Sequence, residues 1–161
     1  MPRIVYDLRT AAQGEVTHVT LTPFHVALQV RDIAEARRFY GGVLGCPEGR
    51  SDRDWVDFEL YGHQLVCHLN PRLGREGRIT SHFNPVDGHG VPVPHCGVVL
   101  AGGQWTELAA RLKEHDVDWV IEPCVRFAGA PGEQSTLFIL DPSGNALEFK
   151  SFRDLGQLFA R

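Results

Sequence analysis

The sequence predicts an α+β chain built from two similar halves. Three observations carry this reading. The order strand, helix, strands runs twice; each half opens on a strand that begins at a histidine; and a stretch rich in glycine and proline separates the halves. In the first half, residues 24–30 are strand-like. Asp32 then stands three residues before Glu35, the spacing of a capping box, and Ile33, Ala36, Phe39, Tyr40, Val43 and Leu44 recur at helical spacing. Gly41, Gly42 and Gly45 end that helix. Residues 55–60 alternate with period two, Tyr61-Gly62 is a turn, and residues 64–69 return.

The second half opens at 95–100. A helix follows with Trp105, Leu108, Ala109 and Leu112 on one side. Residues 117–127 supply a strand interrupted by Pro123, residues 136–140 another, and Asp141-Pro142-Ser143-Gly144 has the chemistry of a turn before the closing strand 145–150. The joint, 71–94, shows neither periodicity and is long for a connection inside a compact domain, which suits a lid carrying His82 and His89. Residues 1–22 have no counterpart in the repeat; Ile4, Val5 and Tyr6 suggest an extra strand, and the tail 152–161 suits a short terminal helix.

Composition narrows the function classes. The chain has 161 residues, 43% hydrophobic and 22% charged, with a formal net charge of -4. That is an ordinary globular balance, and its mild acidity speaks against a nucleic acid or an anionic membrane as partner. Arg3, Asp7, Arg9 and Glu15 interrupt the first twenty residues, so they do not read as a signal peptide. Cys46, Cys67, Cys96 and Cys124 are scattered without a C-x-x-C pair, and a reducing, cytoplasmic location is expected.

Strand parity places the chemistry. Phe24, Val26, Leu28 and Val30 share one face, with His25, Ala27 and Gln29 on the other. Cys96, Val98 and Leu100 oppose His95, Gly97 and Val99, and Leu147 and Phe149 oppose Ala146, Glu148 and Lys150. With the apolar sets packed under the helices, His25, His95 and Glu148 fall on one common face. Each alone reads as an ordinary turn or surface residue. Together, two imidazoles and a carboxylate form a donor set for a divalent first-row metal with positions left open.

The run Phe24-His25-Val26-Ala27 through Phe39-Tyr40, followed by Val43-Leu44-Gly45, resembles the opening of the vicinal oxygen chelate superfamily. That superfamily includes glyoxalase I, bleomycin-resistance proteins, fosfomycin-resistance enzymes and extradiol dioxygenases. Asp141-Pro142-Ser143-Gly144-Asn145-Ala146-Leu147-Glu148-Phe149 resembles the motif that closes its second module. The resemblance implies two βαβββ modules whose mixed sheet curves into a cup, with helices on the outer face. It divides the chain into an N-terminal extension (1–22), a single two-module domain (23–151) and a tail (152–161). Within the domain, module one is 23–70, the joint 71–94 and module two 95–151.

The resemblance also implies that the metal ligands are His25, His95 and Glu148. Val66 falls where some members place a fourth ligand, which disfavours glyoxalase I chemistry and suits the three-ligand branches. Fe(II) or Mn(II) is favoured, and Zn(II) or Ni(II) also suits these donors. His68, on the face of Val66, either reaches the metal or moves a proton, and the second role is favoured. Lys150, Arg126 and Gln134 are candidate substrate contacts. Asp57 and Glu59 share a face with Trp55 and are candidate cup residues. Val66, Val99 and Ile139 are expected to exclude water, and the Cys96 thiol to point into the core. The leading expectation is dioxygenase-like chemistry on a small substrate chelated through vicinal oxygens, by a homodimer. The alternatives are a non-catalytic drug binder of the bleomycin-resistance type and a fosfomycin-resistance-like transferase.

Overall fold

Two four-stranded mixed sheets of the same topology form the body of the chain. The computed structural model describes residues 5–8, 17–20 and 22–159. Strands β1 (Val5–Leu8) and β2 (Thr17–Thr20) pair as a separate antiparallel ribbon. The first sheet contains β3 (His25–Val30), β4 (Glu48–Asp52), β5 (Trp55–Leu60) and β6 (His63–Leu69), in the order β3-β6-β5-β4. After a short hairpin, β7 (His82–Val86) with β8 (His89–Val93), the second sheet contains β9 (Cys96–Val99), β10 (Asp118–Arg126), β11 (Gln134–Leu140) and β12 (Ala146–Ser151). Its order, read from its own first strand, is β9-β12-β11-β10, the same as the first sheet's. In each sheet the first and last strands are parallel neighbours and the rest are antiparallel. The α+β class and the paired modules stand.

The helices differ from each other. Asp32 caps α1 (Ile33–Ala36) by accepting from the Glu35 amide at 2.6 Å. The chain then widens into a π-helical segment, Arg37–Val43, that carries Phe39 and Tyr40 into the core. The second helix, α2 (Gly102–Lys113), buries Leu108, Ala109 and Leu112, and Trp105 Nε1 donates to the Phe149 carbonyl at 2.9 Å. The apolar strand faces predicted from parity meet these helices in one continuous core that runs through both halves, with Val30, Phe58, Leu65, Val98, Leu147 and Phe149 in it; Phe24, counted on the same face, lies ahead of β3 and is exposed instead. Cys96 packs against this core, and burial pushes its thiol up to about 11.

Two elements escaped the sequence reading. The five residues of β4 are all exposed and polar or glycine, so the strand has no apolar face for period-two alternation to reveal. The joint, read as irregular, contains a 3₁₀ turn (Pro71–Leu73) and the β7–β8 hairpin. Asp87 and Gly88 both take positive φ, the two-residue turn that Asp-Gly favours. Pro85 and Pro92 inside the strands concealed that signal. Tyr61 and Gly62 make the same kind of turn between β5 and β6, there as expected. The tail forms a 3₁₀ turn, Leu155–Phe159.

The turn before β12 joins the halves. Tyr40 Oη donates to Asp141 Oδ2 at 2.9 Å across the core. Asp141 also accepts from the Ser143 and Asn145 amides and from Asn145 Nδ2, which reaches the Gln29 carbonyl as well. The Arg31 amide donates to Ser143 Oγ, and Arg111 donates to the carbonyls of Gly42 and Val43. Burial raises the pKa of Asp141, while these hydrogen bonds pull the other way. Tyr40→Phe removes one donor from a buried carboxylate. It should cost about 1.5–3 kcal/mol in urea denaturation, with an unchanged slope.

Candidate metal centre

Strand register makes the two halves comparable residue by residue. In the first sheet His25 pairs with Gln64, Val26 with Leu65 and Ala27 with Val66. In the second, Cys96 pairs with Leu147 and Gly97 with Glu148. Val26 therefore corresponds to Cys96 and Leu65 to Leu147. By the same step His25 corresponds to His95, Val66 to Glu148 and His68 to Lys150. The slot that holds the carboxylate in one half holds an apolar side chain in the other.

In the second sheet the structure gathers three of the predicted residues. His95 Nε2 lies 3.3 Å from Glu148 Oε2, and Lys150 Nζ lies 3.1 Å from the same oxygen. Thr136 Oγ1 donates to Glu148 Oε1 at 3.0 Å. His95 Nδ1 faces the Pro92 carbonyl at 2.7 Å, so it carries the proton and turns Nε2 toward Glu148. Glu148 is only 4% exposed. Burial alone would raise its pKa, but the hydrogen bond from His95 and the charge of Lys150 outweigh that and leave it lowered. The hydrogen bond to Glu148 in turn raises the pKa of His95 against its partial burial, with help from the Pro92 carbonyl. A cavity of about 240 Å³ beside this cluster is lined by His95, Gly97, Val99, Glu148, Lys150 and Leu158 of the tail.

His25 stands elsewhere. It is exposed on the first sheet, and its Nδ1 lies 2.7 Å from Gln64 Oε1. Gln64 Nε2 donates to Asp57 Oδ2 at 3.0 Å, and Arg50 reaches the same carboxylate at 3.3 Å. Val66 and exposed His68 follow along the same face of β6. Glu59 shares that face and is exposed, whereas Asp57 is buried. Ala27 and His95 line one cleft of about 260 Å³ where β3 passes β9. Among the described residues, no group of three His, Cys, Asp or Glu side chains stands together at metal-holding distance.

Arg126 and Gln134 pair with each other at the far end of the second sheet. Arg126 is buried and donates through Nη2 to the Val86 carbonyl of the hairpin at 2.9 Å, with Asp87 at 3.9 Å from Nε. Gln134 lines a separate pocket of about 250 Å³ with Trp105, Ser135 and Ser151. The hairpin lies against this end of the sheet, where Val91 packs with Ile121 and Phe138. His82 bonds within it to Asn84. Ile139 is not a site residue: its register with Leu147 turns it into the core. Phe138, paired with Glu148, takes the place expected of Ile139, with its ring 5.2 Å from that of His95. Only the pairing of β11 with β12 reveals it.

The donor chemistry fits a divalent cation. A buried carboxylate and an imidazole nitrogen face each other at 3.3 Å, with an ammonium supplying the countercharge. An equivalent imidazole on the other sheet has its Nδ1 engaged and its Nε2 turned away from that partner.

Comparison with known proteins defines the class. The profile of the Glyoxalase/Bleomycin resistance protein/Dioxygenase superfamily matches residues 22–149, and the chain belongs to that superfamily. A glyoxalase/bleomycin resistance protein/dioxygenase from Alicyclobacillus acidocaldarius is 31% identical, with a TM-score of 0.70 over 85% of this chain and 96% of that one. The fosfomycin resistance protein FosX of Listeria monocytogenes shares the fold at 14% identity, covering 86% of this chain and 98% of its own, with a TM-score of 0.59. TioX from Micromonospora sp. ML1 does so at 14% identity and a TM-score of 0.57, over 81% and 98%. No curated protein matches the chain. No helix among the described residues is long and apolar enough to cross a membrane.

The two shifted groups set a pH window for the metal-free protein. The lowered Glu148 contributes stability above its ordinary value of 4.5 and loses it as pH falls through the folded value. The raised His95 contributes below its ordinary 6.5 and loses it as pH rises through the folded value. The pair should therefore stabilise chelator-treated protein most between those values. Urea denaturation across pH should show the bulge, and Glu148→Gln should flatten it.

Proposed function

We propose that this chain is a metal-dependent enzyme whose centre is completed by a second copy of itself. We further propose that it acts in the manner of an extradiol dioxygenase on a small substrate with two adjacent oxygens. The observation that carries this reading is the pairing of His95 Nε2 with the buried Glu148 carboxylate, matched by His25 at the corresponding place on the other sheet. His25, His95 and Glu148 would hold the ion, with Fe(II) or Mn(II) favoured. Within one chain His25 lies on exposed surface, so a first sheet supplied by the partner is the arrangement that brings the three donors together.

A metal held there would lower the pKa of a substrate hydroxyl and supply a site for O₂. The remaining work falls to the chain. Lys150, whose Nζ lies 3.1 Å from Glu148 Oε2, would meet an anionic substrate oxygen at the site. His68 occupies the corresponding position on the first sheet, where an imidazole moves a proton near neutral pH. Phe138, Val66 and Val99 give the site apolar walls that keep bulk water from the reacting atoms. Four free cysteines accord with a reducing, cytoplasmic setting.

Two measurements test this. Added Fe(II) or Mn(II) at about one hundred times its Kd should stabilise the protein by about 2.7 kcal/mol. His25→Ala or Glu148→Ala should weaken that binding by more than about 100-fold, beyond the loss typical of residues that only orient a ligand. Mixing those two variants should restore one intact site per heterodimer and recover metal binding. No recovery on mixing would place all three ligands within one chain. No metal-dependent stabilisation of the wild type would sink the enzyme reading.

A further inference from the structure

The first sheet carries a polar chain that the second lacks: His25, Gln64 and Asp57, in contact one after another. We propose that Gln64 and Asp57 are positioning residues. They fix the His25 imidazole as its Nδ1–H tautomer and so present the Nε2 lone pair as a ligand. The inference rests on the metal-site reading for its purpose, but its structural half stands alone.

The direction of the chain follows from donor and acceptor types. An ionised carboxylate only accepts, so Asp57 Oδ2, 3.0 Å from Gln64, must face the amide nitrogen. That leaves Gln64 Oε1 facing His25 Nδ1 at 2.7 Å. A carbonyl oxygen also only accepts, so Nδ1 must carry the hydrogen. In the neutral ring Nε2 is then bare. Asp57 is itself fixed in place: it is 6% exposed, pairs with Val66 across β5 and β6, and has Arg50 on the same oxygen. Gln64 is held by its register opposite His25 and by its backbone N–H, which donates to the Phe24 carbonyl.

The internal repeat supplies an independent comparison. The position corresponding to Gln64 in the second half is Ala146, which has no side-chain acceptor. His95 instead uses the Pro92 carbonyl, at the same 2.7 Å from Nδ1. Two unrelated acceptors thus engage Nδ1 on two corresponding rings and leave Nε2 as the nitrogen turned outward, bare on His25 and facing the Glu148 carboxylate on His95.

Nitrogen-15 NMR of the imidazole rings in metal-free protein tests the tautomer directly, at about pH 8, above the ordinary imidazole pKa. His25→Asn assigns the signals. The wild type should show a protonated Nδ1 and a bare Nε2. Gln64→Leu should give a mixture of tautomers. Asp57→Asn should do likewise without touching His25, because the amide of Gln64 is then free to turn. Gln64→Glu should keep the Nδ1–H form, since its carboxylate still only accepts. Titration with Zn(II) as probe should show affinity falling about 10–100-fold in Gln64→Leu. A wild-type His25 protonated at Nε2 overturns the inference, as does a Gln64→Leu protein with unchanged tautomer and unchanged Zn(II) affinity. A wild type that binds neither Zn(II) nor Mn(II), yet shows the Gln64-dependent tautomer, overturns the metal reading while the hydrogen-bond relay stands.

Discussion

A carboxylate buried on the polar face of the second sheet is the constraint around which that half is arranged. Taking Glu148 out of water is costly unless its charge is met, and three side chains meet it: His95, Lys150 and Thr136. Thr136 and Lys150 pair directly across β11 and β12, and His95 stands one residue before β9, the parallel neighbour of β12. The close approach of β9 and β12 also explains Gly97. A Cβ there would come within 1.7 Å of the Glu148 carbonyl, so any larger residue would push away the strand that carries the carboxylate.

The two halves share a topology and have diverged on their working faces. The first presents an open polar surface: His25, Ala27, Gln29, Glu59 and His68 are all exposed. The second is partly covered, by the β7–β8 hairpin at one end and by Leu158 near His95 and Glu148. The open face carries the His25 and His68 imidazoles, and the partly covered face carries the His95 imidazole beside the Glu148 carboxylate. Among the described residues, neither gathers three donors at metal-holding distance. The core beneath them is common property, joined by the Tyr40–Asp141 hydrogen bond and by Arg111 on the end of the first helix.

Much of this was legible because both periodicities are strong. Val26, Leu28 and Val30 against His25, Ala27 and Gln29 is a clean alternation, and the same alternation recurs at 96–100 and 146–150. Parity placed His95, Glu148 and Lys150 on one face, as found. It failed at Ile139, where the unbroken apolar run Leu137-Phe138-Ile139-Leu140 offers no alternation to read and only pairing with β12 decides the side. The hairpin was missed for a related reason: its prolines hid the strands, although Asp87-Gly88 marked the turn. Strand β4 left no trace, because an edge strand exposed on both faces needs no apolar residues.

The amino-acid sequence by itself determined which residue types share a strand face, since that depends only on the two-residue repeat of an extended backbone. It therefore grouped His95, Glu148 and Lys150 on one face, while the motifs at 24–45 and 141–149 carried the resemblance to the superfamily. Which donors meet is a different matter. Whether His95 lies beside Glu148, and whether Gln64 turns its oxygen toward His25, depend on strand pairing and on groups such as Asp57 and Pro92 brought close by folding. Hydrogen bonds reach about 3 Å, and no local pattern specifies separations on that scale between residues far apart in the chain. Only the packed tertiary structure does.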